Sequence, residues 1–178
     1  MWSSHLSRAP FEGVLERCMA HSVPARARVH VLTVSDTRTA ETDESGNLCI
    51  SLVESAGHEV VGRTILPDDP EKVEAHVRAV AAEVDAVLIN GGTGIAARDT
   101  TYEGVAKLLE KRLDGFGELF RMLSFAEVGS RAMASRAVAG VCGKTLIFSM
   151  PGSSKAVRLA LEHLVCPELS HLVGELRK

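Results

Sequence analysis

The sequence predicts an α/β domain, a three-layer sandwich in which helices cover both faces of a mostly parallel β-sheet. Short apolar runs that contain β-branched residues, such as residues 29–35 and 86–90, alternate with segments whose apolar residues recur at helical spacing. Parallel strands joined by right-handed helical crossovers are the usual outcome of this alternation. The chain has 178 residues, of which 46% are hydrophobic, and this suffices for one core.

Residues 1–27 precede the first predicted strand and are interpreted as an extension of a domain that spans residues 28–178. Apolar side chains of the extension fall at positions i, i+3, i+4, i+7 and i+8, namely Phe11, Val14, Leu15, Cys18 and Met19. This spacing predicts a short amphipathic helix that packs on the domain or on a neighbouring subunit. A mobile terminal segment is the alternative interpretation, because chain ends are often poorly ordered.

The first half of the domain is predicted to contain two strand–helix units. Residues 29–35 form the first strand, and the helix after it ends at Gly57, which suits a left-handed C-terminal cap. The second strand begins near His58, and Asp69 then caps a helix whose first position is Pro70. The apolar stripes of the two helices are Leu48, Leu52, Val53 and Ala56 in the first, and Val73, Val77, Val80 and Val84 in the second.

The second half begins with the strand 86–90, which leads through a glycine-rich loop into a helix. Thr100 and Glu103 have the spacing of a capping box at the start of that helix. A loop that contains Gly115 and Gly117 precedes another helix, and residues 137–142 and 144–150 are predicted strands. The last predicted helix carries Val157, Leu161 and Leu164 on one face and is restarted as a second segment by Pro167.

Charge and composition exclude several classes of function. The net charge is -3 and the basic residues are dispersed, so neither nucleic acid nor an anionic membrane surface is an expected partner. No apolar run approaches the roughly 18 residues of a membrane helix. The four cysteines form no CxxC pair and the seven histidines have no metal-binding spacing. We therefore expect a soluble cytoplasmic protein with reduced thiols.

Three loops are predicted to meet at the carboxyl ends of the strands, where sheets of this class bind ligands. They contain Ser35 and Asp36, then Pro67 and Asp68, then residues 91–101. The segment Asn90-Gly-Gly-Thr-Gly94 follows a strand and precedes a helix, so its backbone N–H groups could approach a phosphate closely. An ordinary tight turn is the alternative. Residues 92–97 also match the dinucleotide pattern GxGxxA, which would indicate an oxidoreductase, but here the pattern follows the third strand and not the first.

Asp68 and Asp99 are the acids best placed to act on a phosphate. Each lies in a strand-end loop, while its neighbour, Asp69 or Thr100, is expected to cap a helix. Carboxylates near phosphates commonly hold Mg²⁺. Alternatively, either acid is itself a cap or a solvated charge. Four basic residues could neutralise phosphate or simply lie on the surface: Arg98, Arg136, Lys144 and Lys155.

Several separate blocks resemble the family of molybdenum cofactor biosynthesis protein B, and the resemblance extends from Val29 to Arg177. The blocks are Thr33-Val-Ser-Asp36, Gly91-Gly-Thr-Gly94, Arg98-Asp-Thr-Thr101, Gly115-Phe-Gly-Glu118, Phe120-Arg-Met-Leu-Ser-Phe125, Ser135-Arg136, Ala139-Gly140 and Pro151-Gly-Ser153. Their order and spacing agree with that family. The phrase from Gly115 to Phe125 is closer to this branch than to the longer adenylyltransferases.

The resemblance implies adenylylation of molybdopterin by Mg²⁺-ATP, giving adenylylated molybdopterin and pyrophosphate. It implies an α/β sandwich that forms homotrimers or hexamers, with molybdopterin and ATP as partners. The two aspartates of active relatives fall on Asp68 and Asp99, which are expected to be catalytic and to hold the metal. The resemblance also implies a binding role for Ser35, Asp36, Gly91, Gly92, Thr93, Gly94, Arg98, Thr100, Glu118, Ser135, Gly152 and Ser153. A protein that binds and delivers molybdopterin without catalysis is the alternative function.

Overall fold

A computed structural model of the chain, which describes residues 26–178, contains one six-stranded sheet with helices on both faces. The strands are β1 Arg28–Val34, β2 Glu59–Leu66, β3 Ala86–Asn90, β4 Lys111–Arg112, β5 Val138–Cys142 and β6 Thr145–Met150. The helices are α1 Glu44–Ser55, α2 Pro70–Ala81, α3 Thr101–Leu108, α4 Asp114–Val128, α5 Ser154–Ala160 and α6 Cys166–Leu176. A 3₁₀ segment, Gly129–Ala134, follows α4, and a π-helical segment, Leu161–Val165, joins α5 to α6. The helix predicted around residues 11–19 lies outside the described residues.

The sheet has the strand order β2-β1-β3-β6-β5-β4. Strands β2, β1, β3 and β6 are parallel, while β5 runs antiparallel to both β6 and β4. The predicted α/β class with a mostly parallel sheet is therefore confirmed. Strand β4 has only two residues, which is too short to leave a periodic signal in the sequence.

Two apolar layers flank the sheet. Helices α1, α4, α5 and α6 pack on one face around Cys49, Phe120 and Leu161. Helices α2 and α3 pack on the other face around Val77 and Val105. Strand β1 is buried on both sides, which explains why its sequence is a continuous apolar run and not an alternating one. Among the described residues no helix combines the length and apolar character needed to cross a membrane.

The predicted start of α2 is confirmed in detail. The Asp69 carboxylate accepts hydrogen bonds from the N–H groups of Glu71 and Lys72, at 3.1 and 3.3 Å, and Pro70 is the first helical residue. The end of this helix differs from the prediction, because α2 stops at Ala81 and Val84 lies beyond it. The Thr145 hydroxyl donates to the carbonyl oxygens of Ala81 and Val84, and it thereby satisfies backbone groups in the turn that follows the helix.

One further sequence prediction is corrected by packing. The glycines at 115 and 117 lie within α4, which begins at Asp114, and not in a loop before it. A Cβ at Gly117 would lie 2.7 Å from the carbonyl oxygen of Ala137, so close packing explains the glycine there. At the C-terminal end, the predicted second segment at Pro167 is confirmed, because α6 begins at Cys166 with Pro167 in its first turn. The π-helical segment before Pro167 changes the hydrogen-bond register and accommodates the missing N–H donor.

Candidate active site at the carboxyl edge of the sheet

The loops that follow β1, β2, β3 and β6 meet at one edge of the sheet because these four strands are parallel. The Ser35 N–H donates to the carbonyl oxygen of Leu66 at 2.8 Å, which joins the first two loops. The Asp68 N–H donates to the Asp36 carboxylate at 3.2 Å. The Gly91 N–H donates to the carbonyl oxygen of Met150 at 3.0 Å and links the third loop to the fourth.

The backbone conformation and the close packing of the third loop require glycine at two of its positions. Gly91 and Gly92 have φ values of 103° and 63°, a region that favours glycine. A Cβ at Gly91 would overlap the carbonyl oxygen of Val34, and a Cβ at Gly92 would lie 2.8 Å from Oδ2 of Asp68. Gly152 packs on the same segment, since a Cβ there would lie 3.0 Å from the Cα of Gly91. The tight turn with positive φ therefore occurs, and the glycines also let neighbouring parts of the protein pack closely on the loop.

Asp68 caps helix α3. Its Oδ1 accepts hydrogen bonds from the Thr100 N–H at 3.2 Å, the Thr100 hydroxyl at 3.2 Å and the Thr101 hydroxyl at 3.0 Å. Its Oδ2 is buried and has no hydrogen-bond partner within residues 26–178. One oxygen of Asp68 therefore holds the helix, and the other has no hydrogen-bond partner within residues 26–178.

The capping box predicted for Thr100 and Glu103 is wrong. In the described part of the chain, Thr100 makes no side-chain cap on its own helix, since its hydroxyl is bonded to Asp68. Glu103 instead forms an ion pair with Arg136. The sequence pattern could not reveal this, because both competing partners are more than 30 residues distant in the chain.

Asp99 is half-buried and closes a turn within the third loop. Its Oδ2 accepts a hydrogen bond from the Ala96 N–H at 3.0 Å, and its own N–H donates to the Ala96 carbonyl oxygen at 2.9 Å. A Cβ at Gly94 would overlap Oδ2 of Asp99, so the absence of a side chain there is required for this turn. Helix α3 begins only at Thr101, beyond the segment 92–97, whereas the dinucleotide fingerprint opens a helix within the motif.

Arg136 spans the third loop from the side of β5. Its Nε donates to the carbonyl oxygen of Thr93 at 2.9 Å, and its Nη2 donates to that of Gly94 at 2.7 Å and to that of Asp99 at 3.5 Å. The guanidinium carbon lies 4.7 Å from the ring centre of Tyr102. Hydrogen bonding to Arg136 is the main reason that the pKa of Glu103 is lowered.

A second polar cluster, not predicted from the sequence, lies beneath these loops on the side of α1. Oδ2 of the fully buried Asp43 accepts from the Thr33 hydroxyl at 2.7 Å and from Nη2 of Arg63 at 2.8 Å. Its Oδ1 accepts from the Ser45 hydroxyl at 3.1 Å and from the Gly46 N–H at 2.8 Å, which caps α1. Burial would raise the pKa of Asp43, but these hydrogen bonds together lower it. An aspartate just before the apolar stripe of α1 was the available signal.

Asn90 joins this cluster to the end of β3. Its side-chain amide donates to the Ser45 hydroxyl at 2.8 Å, and its Oδ1 lies 3.1 Å from the Thr33 hydroxyl. The side chain is fully buried and is satisfied within the protein. Asn90 therefore orients the strand end from which the glycine loop starts, and it does not face a ligand.

The remaining predicted site residues lie in different environments. Ser35 accepts from the N–H groups of its own turn, and Ser153 caps α5 through the Ala156 N–H at 3.2 Å. Arg98 is exposed, and Ser135 is half-buried at the end of the 3₁₀ segment. Glu118 lines a cavity of about 200 Å³ between α4 and the start of β5, and no residue of the glycine loop lines that cavity. The structure thus brings Asp36, Asp68, Asp99, Thr100, Gly152 and residues 91–94 together, and Glu118 lines a neighbouring cavity.

Comparisons with known proteins place these features in context. Residues 30–171 match the family model described as a probable molybdopterin binding domain. The chain is 52% identical over 158 residues to molybdenum cofactor biosynthesis protein B of Bacillus subtilis strain 168, covering 87% of this chain and 93% of that protein. A crystal structure of a molybdenum cofactor biosynthesis protein B superposes with a TM-score of 0.84 at 51% identity, over 88% of this chain and 99% of the other. The tungsten cofactor synthesizing protein MoaB from Pyrococcus furiosus superposes with a TM-score of 0.77 at 36% identity, over 88% and 100% of the two chains.

Proposed function

The chain belongs to the molybdopterin-binding family of molybdenum cofactor biosynthesis proteins, and from this premise we propose that it transfers AMP from Mg²⁺-ATP to molybdopterin. An oxygen of the terminal phosphate of molybdopterin attacks the α-phosphorus of ATP and forms a new P–O bond. The bond from the α-phosphorus to the bridging oxygen breaks, and pyrophosphate leaves with that electron pair. The products are adenylylated molybdopterin and pyrophosphate.

The observation that carries the proposal is the unequal use of the two oxygens of Asp68. Three donors hold Oδ1, so the carboxylate cannot rotate without uncapping α3. Oδ2 is buried beside Gly92 and has no partner within the described residues. A buried carboxylate oxygen without a partner is costly in free energy, and a cation or a donor from a ligand would remove that cost.

The residues present fit a magnesium ion. Mg²⁺ prefers hard oxygen ligands and is usually held by one or two carboxylates together with substrate phosphates and water. Asp68 and Asp99 would supply the carboxylates. Among residues 26–178 no group of three or more histidine, cysteine, aspartate or glutamate side chains could hold a metal ion alone. In the proposed function the ion arrives with the nucleotide, where it would neutralise phosphate charge.

The glycine loop supports phosphate binding through its backbone. No hydrogen bond within residues 26–178 uses the N–H groups of Gly92, Thr93 or Gly94 as donors. Two of these three residues lack a Cβ, so a phosphate oxygen can approach the main chain closely. In the proposed function these N–H groups hold nucleotide phosphate, while Asp36 and Gly152 border the same edge.

The proposed transfer requires positioning more than proton abstraction. A phosphate monoester has its second pKa near 6, so the nucleophile is mostly dianionic at neutral pH. None of the loops 35–43, 67–69, 91–100 and 151–153 contains a histidine. The absence of a strong general base from these loops therefore suits a phosphate nucleophile and would not suit a hydroxyl nucleophile.

The experiment that tests the function is transfer of labelled AMP from Mg²⁺-ATP to molybdopterin, comparing the wild type with Asp99→Asn. We expect the variant to fold and to lose about 100-fold or more of the transfer rate, because the amide cannot replace the negative charge. Glu175→Gln on α6 is the matched control and should retain the rate. Unchanged transfer by Asp99→Asn would remove Asp99 from the mechanism.

The same experiment separates the enzyme from a carrier. A folded wild type that binds molybdopterin but transfers no AMP, with or without Mg²⁺, would identify a binding and delivery protein and end the proposal of catalysis. Removal of Mg²⁺ by a chelator should abolish transfer in the enzyme but leave pterin binding by a carrier unchanged.

We also propose that the protein is a homo-oligomer, trimeric or hexameric. The supporting observation is a row of exposed apolar side chains on and after α4, namely Leu119, Met122, Phe125, Val128 and Met133. Exposed apolar surface of this kind commonly marks contacts between protein subunits. The molecular mass in solution tests this, and a monomeric mass would contradict it.

A further inference from the structure

We propose that Arg136 is a positioning residue that fixes the glycine loop and Asp99, and that it does not bind substrate phosphate. The inference rests on the proposed function for its catalytic consequence, but the loop contacts themselves can be tested without it. An arginine next to a phosphate-binding loop would ordinarily be assigned to the phosphate. The contacts of Arg136 favour a different assignment.

The donors of Arg136 are directed at the protein. Nε and Nη2 bind the carbonyl oxygens of Thr93 and Gly94 at 2.9 and 2.7 Å, and Nη2 also lies 3.5 Å from that of Asp99. The planar fork of a guanidinium can satisfy two neighbouring carbonyl groups at once, which a lysine ammonium cannot do in the same geometry. Arg136 therefore joins the start of the loop to its end.

The charge of Arg136 is also compensated within the protein. Nη1 and Nη2 both contact the Glu103 carboxylate, and the guanidinium packs over the ring of Tyr102 at 4.7 Å. The pKa of Glu103 is lowered, chiefly by the hydrogen bond from Arg136, so the carboxylate stays ionised at neutral pH. A paired and hydrogen-bonded guanidinium has little capacity left for a phosphate.

The outer part of the loop, beyond the buried Thr93, needs this support because its residues face solvent. Residues 94–98 are exposed, and the Ile95 side chain is 79% exposed. The turn at Asp99 fixes only the segment from Ala96 onward. Without Arg136, the carbonyl groups of Thr93 and Gly94 would lose their partners, and the N–H groups proposed to hold phosphate would no longer be held in one orientation.

The test compares Arg136→Lys with Arg136→Gln, and uses Arg158→Lys as a matched control on an exposed ion pair. If Arg136 positions the loop, lysine fails to replace arginine, and both variants lose AMP transfer by about tenfold or more to a similar extent. The loss persists at saturating ATP, because more substrate does not restore the orientation of Asp99. If Arg136 binds phosphate, lysine retains most of the transfer, and the glutamine variant is largely rescued by raising the ATP concentration.

Amide hydrogen exchange of the ligand-free protein tests the positioning role independently of any activity. We expect both Arg136 variants to accelerate exchange at Ala96, Asp99 and Thr101, while exchange in β1 and β3 stays as in the wild type. Unchanged exchange at the three loop amides would overturn the proposal, whether or not the protein transfers AMP. Transfer absent from the wild type, together with accelerated exchange in the variants, would contradict the proposed function but leave the positioning contact established.

Discussion

Asp43 and Asp68 are two carboxylates at the same edge of the sheet that differ in how their oxygens are satisfied. Both oxygens of Asp43 accept hydrogen bonds, and Arg63 supplies a compensating charge at 2.8 Å. Only Oδ1 of Asp68 is bonded within the described residues, and Oδ2 is buried without a partner. The difference teaches that burial of a carboxylate does not by itself indicate function. The saturated group belongs to the scaffold, and the half-saturated group retains capacity for a ligand.

The positions of the two acids support this division of roles. Asp43 links the start of α1 to β1 and, through Ser45, to Asn90 at the end of β3. Asp68 links the loop after β2 to the start of α3 and leaves an oxygen facing Gly92. Changes at Asp43 should therefore affect mainly the free energy of unfolding, and changes at Asp68 should affect mainly catalysis.

The largest expected effect is the loss of stability in Asp43→Ala. Removing the carboxylate leaves Arg63 without its ion-pair partner and leaves the buried Thr33, Ser45 and Gly46 donors without this acceptor. We expect the free energy of unfolding to fall by about 3–5 kcal/mol, the range for breaking a buried pair. Urea unfolding followed by circular dichroism measures the change.

The control for this experiment is Glu44→Ala, the neighbouring acid in the first turn of α1. Glu44 is exposed, and its removal should change the free energy of unfolding by less than about 0.5 kcal/mol. A loss in Asp43→Ala no greater than that of the control would break the comparison, because Asp43 would then not support the scaffold.

The second largest effect is the loss of catalysis in Asp68→Asn. Asparagine keeps an oxygen that can cap α3, so we expect the free energy of unfolding to change by less than about 1 kcal/mol. It replaces Oδ2 by an amide that donates hydrogen bonds and carries no charge, so AMP transfer should fall by about 100-fold or more. Steady-state transfer assays and urea unfolding of the same preparation measure both quantities.

Asp69→Asn sharpens this prediction because it changes the adjacent acid in the same way. Asparagine caps helices nearly as well as aspartate, so the start of α2 should persist and transfer should stay within about twofold of the wild type. If Asp69→Asn loses activity and Asp68→Asn retains it, the roles of the two adjacent acids are reversed.

The fold could be predicted from local sequence wherever the physical cause was itself local. The buried run of β1, the Asp69 cap and the positive φ of Gly57 each depend on residues that are close in the chain. Short strand β4 and the helical placement of Gly117 depend on packing against β5 and Ala137, which no local pattern records.

Local sequence predicts the candidate site less completely than it predicts the fold. The strand-end loops and both acids could be located from sequence, because parallel strands bring their carboxyl ends together. The use of Asp68 as a cap for α3, and of Arg136 as a support for the glycine loop, involves partners more than 30 residues away. The prediction that Asp68 is free because its neighbour caps a helix was therefore only half right. Asp69 does cap α2, but one oxygen of Asp68 is also engaged.

The smallest of the expected effects is a pH dependence confined to Asp43. Its pKa is lowered by hydrogen bonds from Thr33, Gly46, Arg63 and Ser45, which outweigh the effect of burial. A carboxyl with a lowered folded-state pKa contributes stability above its ordinary value of 3.8 and loses that contribution as the pH falls through the folded-state pKa. We therefore expect the difference in unfolding free energy between the wild type and Asp43→Ala to be constant from pH 7 to 5 and to narrow below about pH 4.

The difference in unfolding free energy between the wild type and Asp43→Ala separates the titration of Asp43 from that of other groups. His30 and His76 face each other with Nε2 atoms 3.1 Å apart, and burial is the main reason that both pKa values are lowered. Their neutral forms stabilise the fold above about pH 6.5, and this contribution is lost as the pH falls, in the wild type and the variant alike. It therefore cancels in the difference. If the difference in unfolding free energy stays constant down to pH 3, the buried cluster does not stabilise the ionised form of Asp43. The contrast between Asp43 and Asp68 would then lie in packing and not in charge.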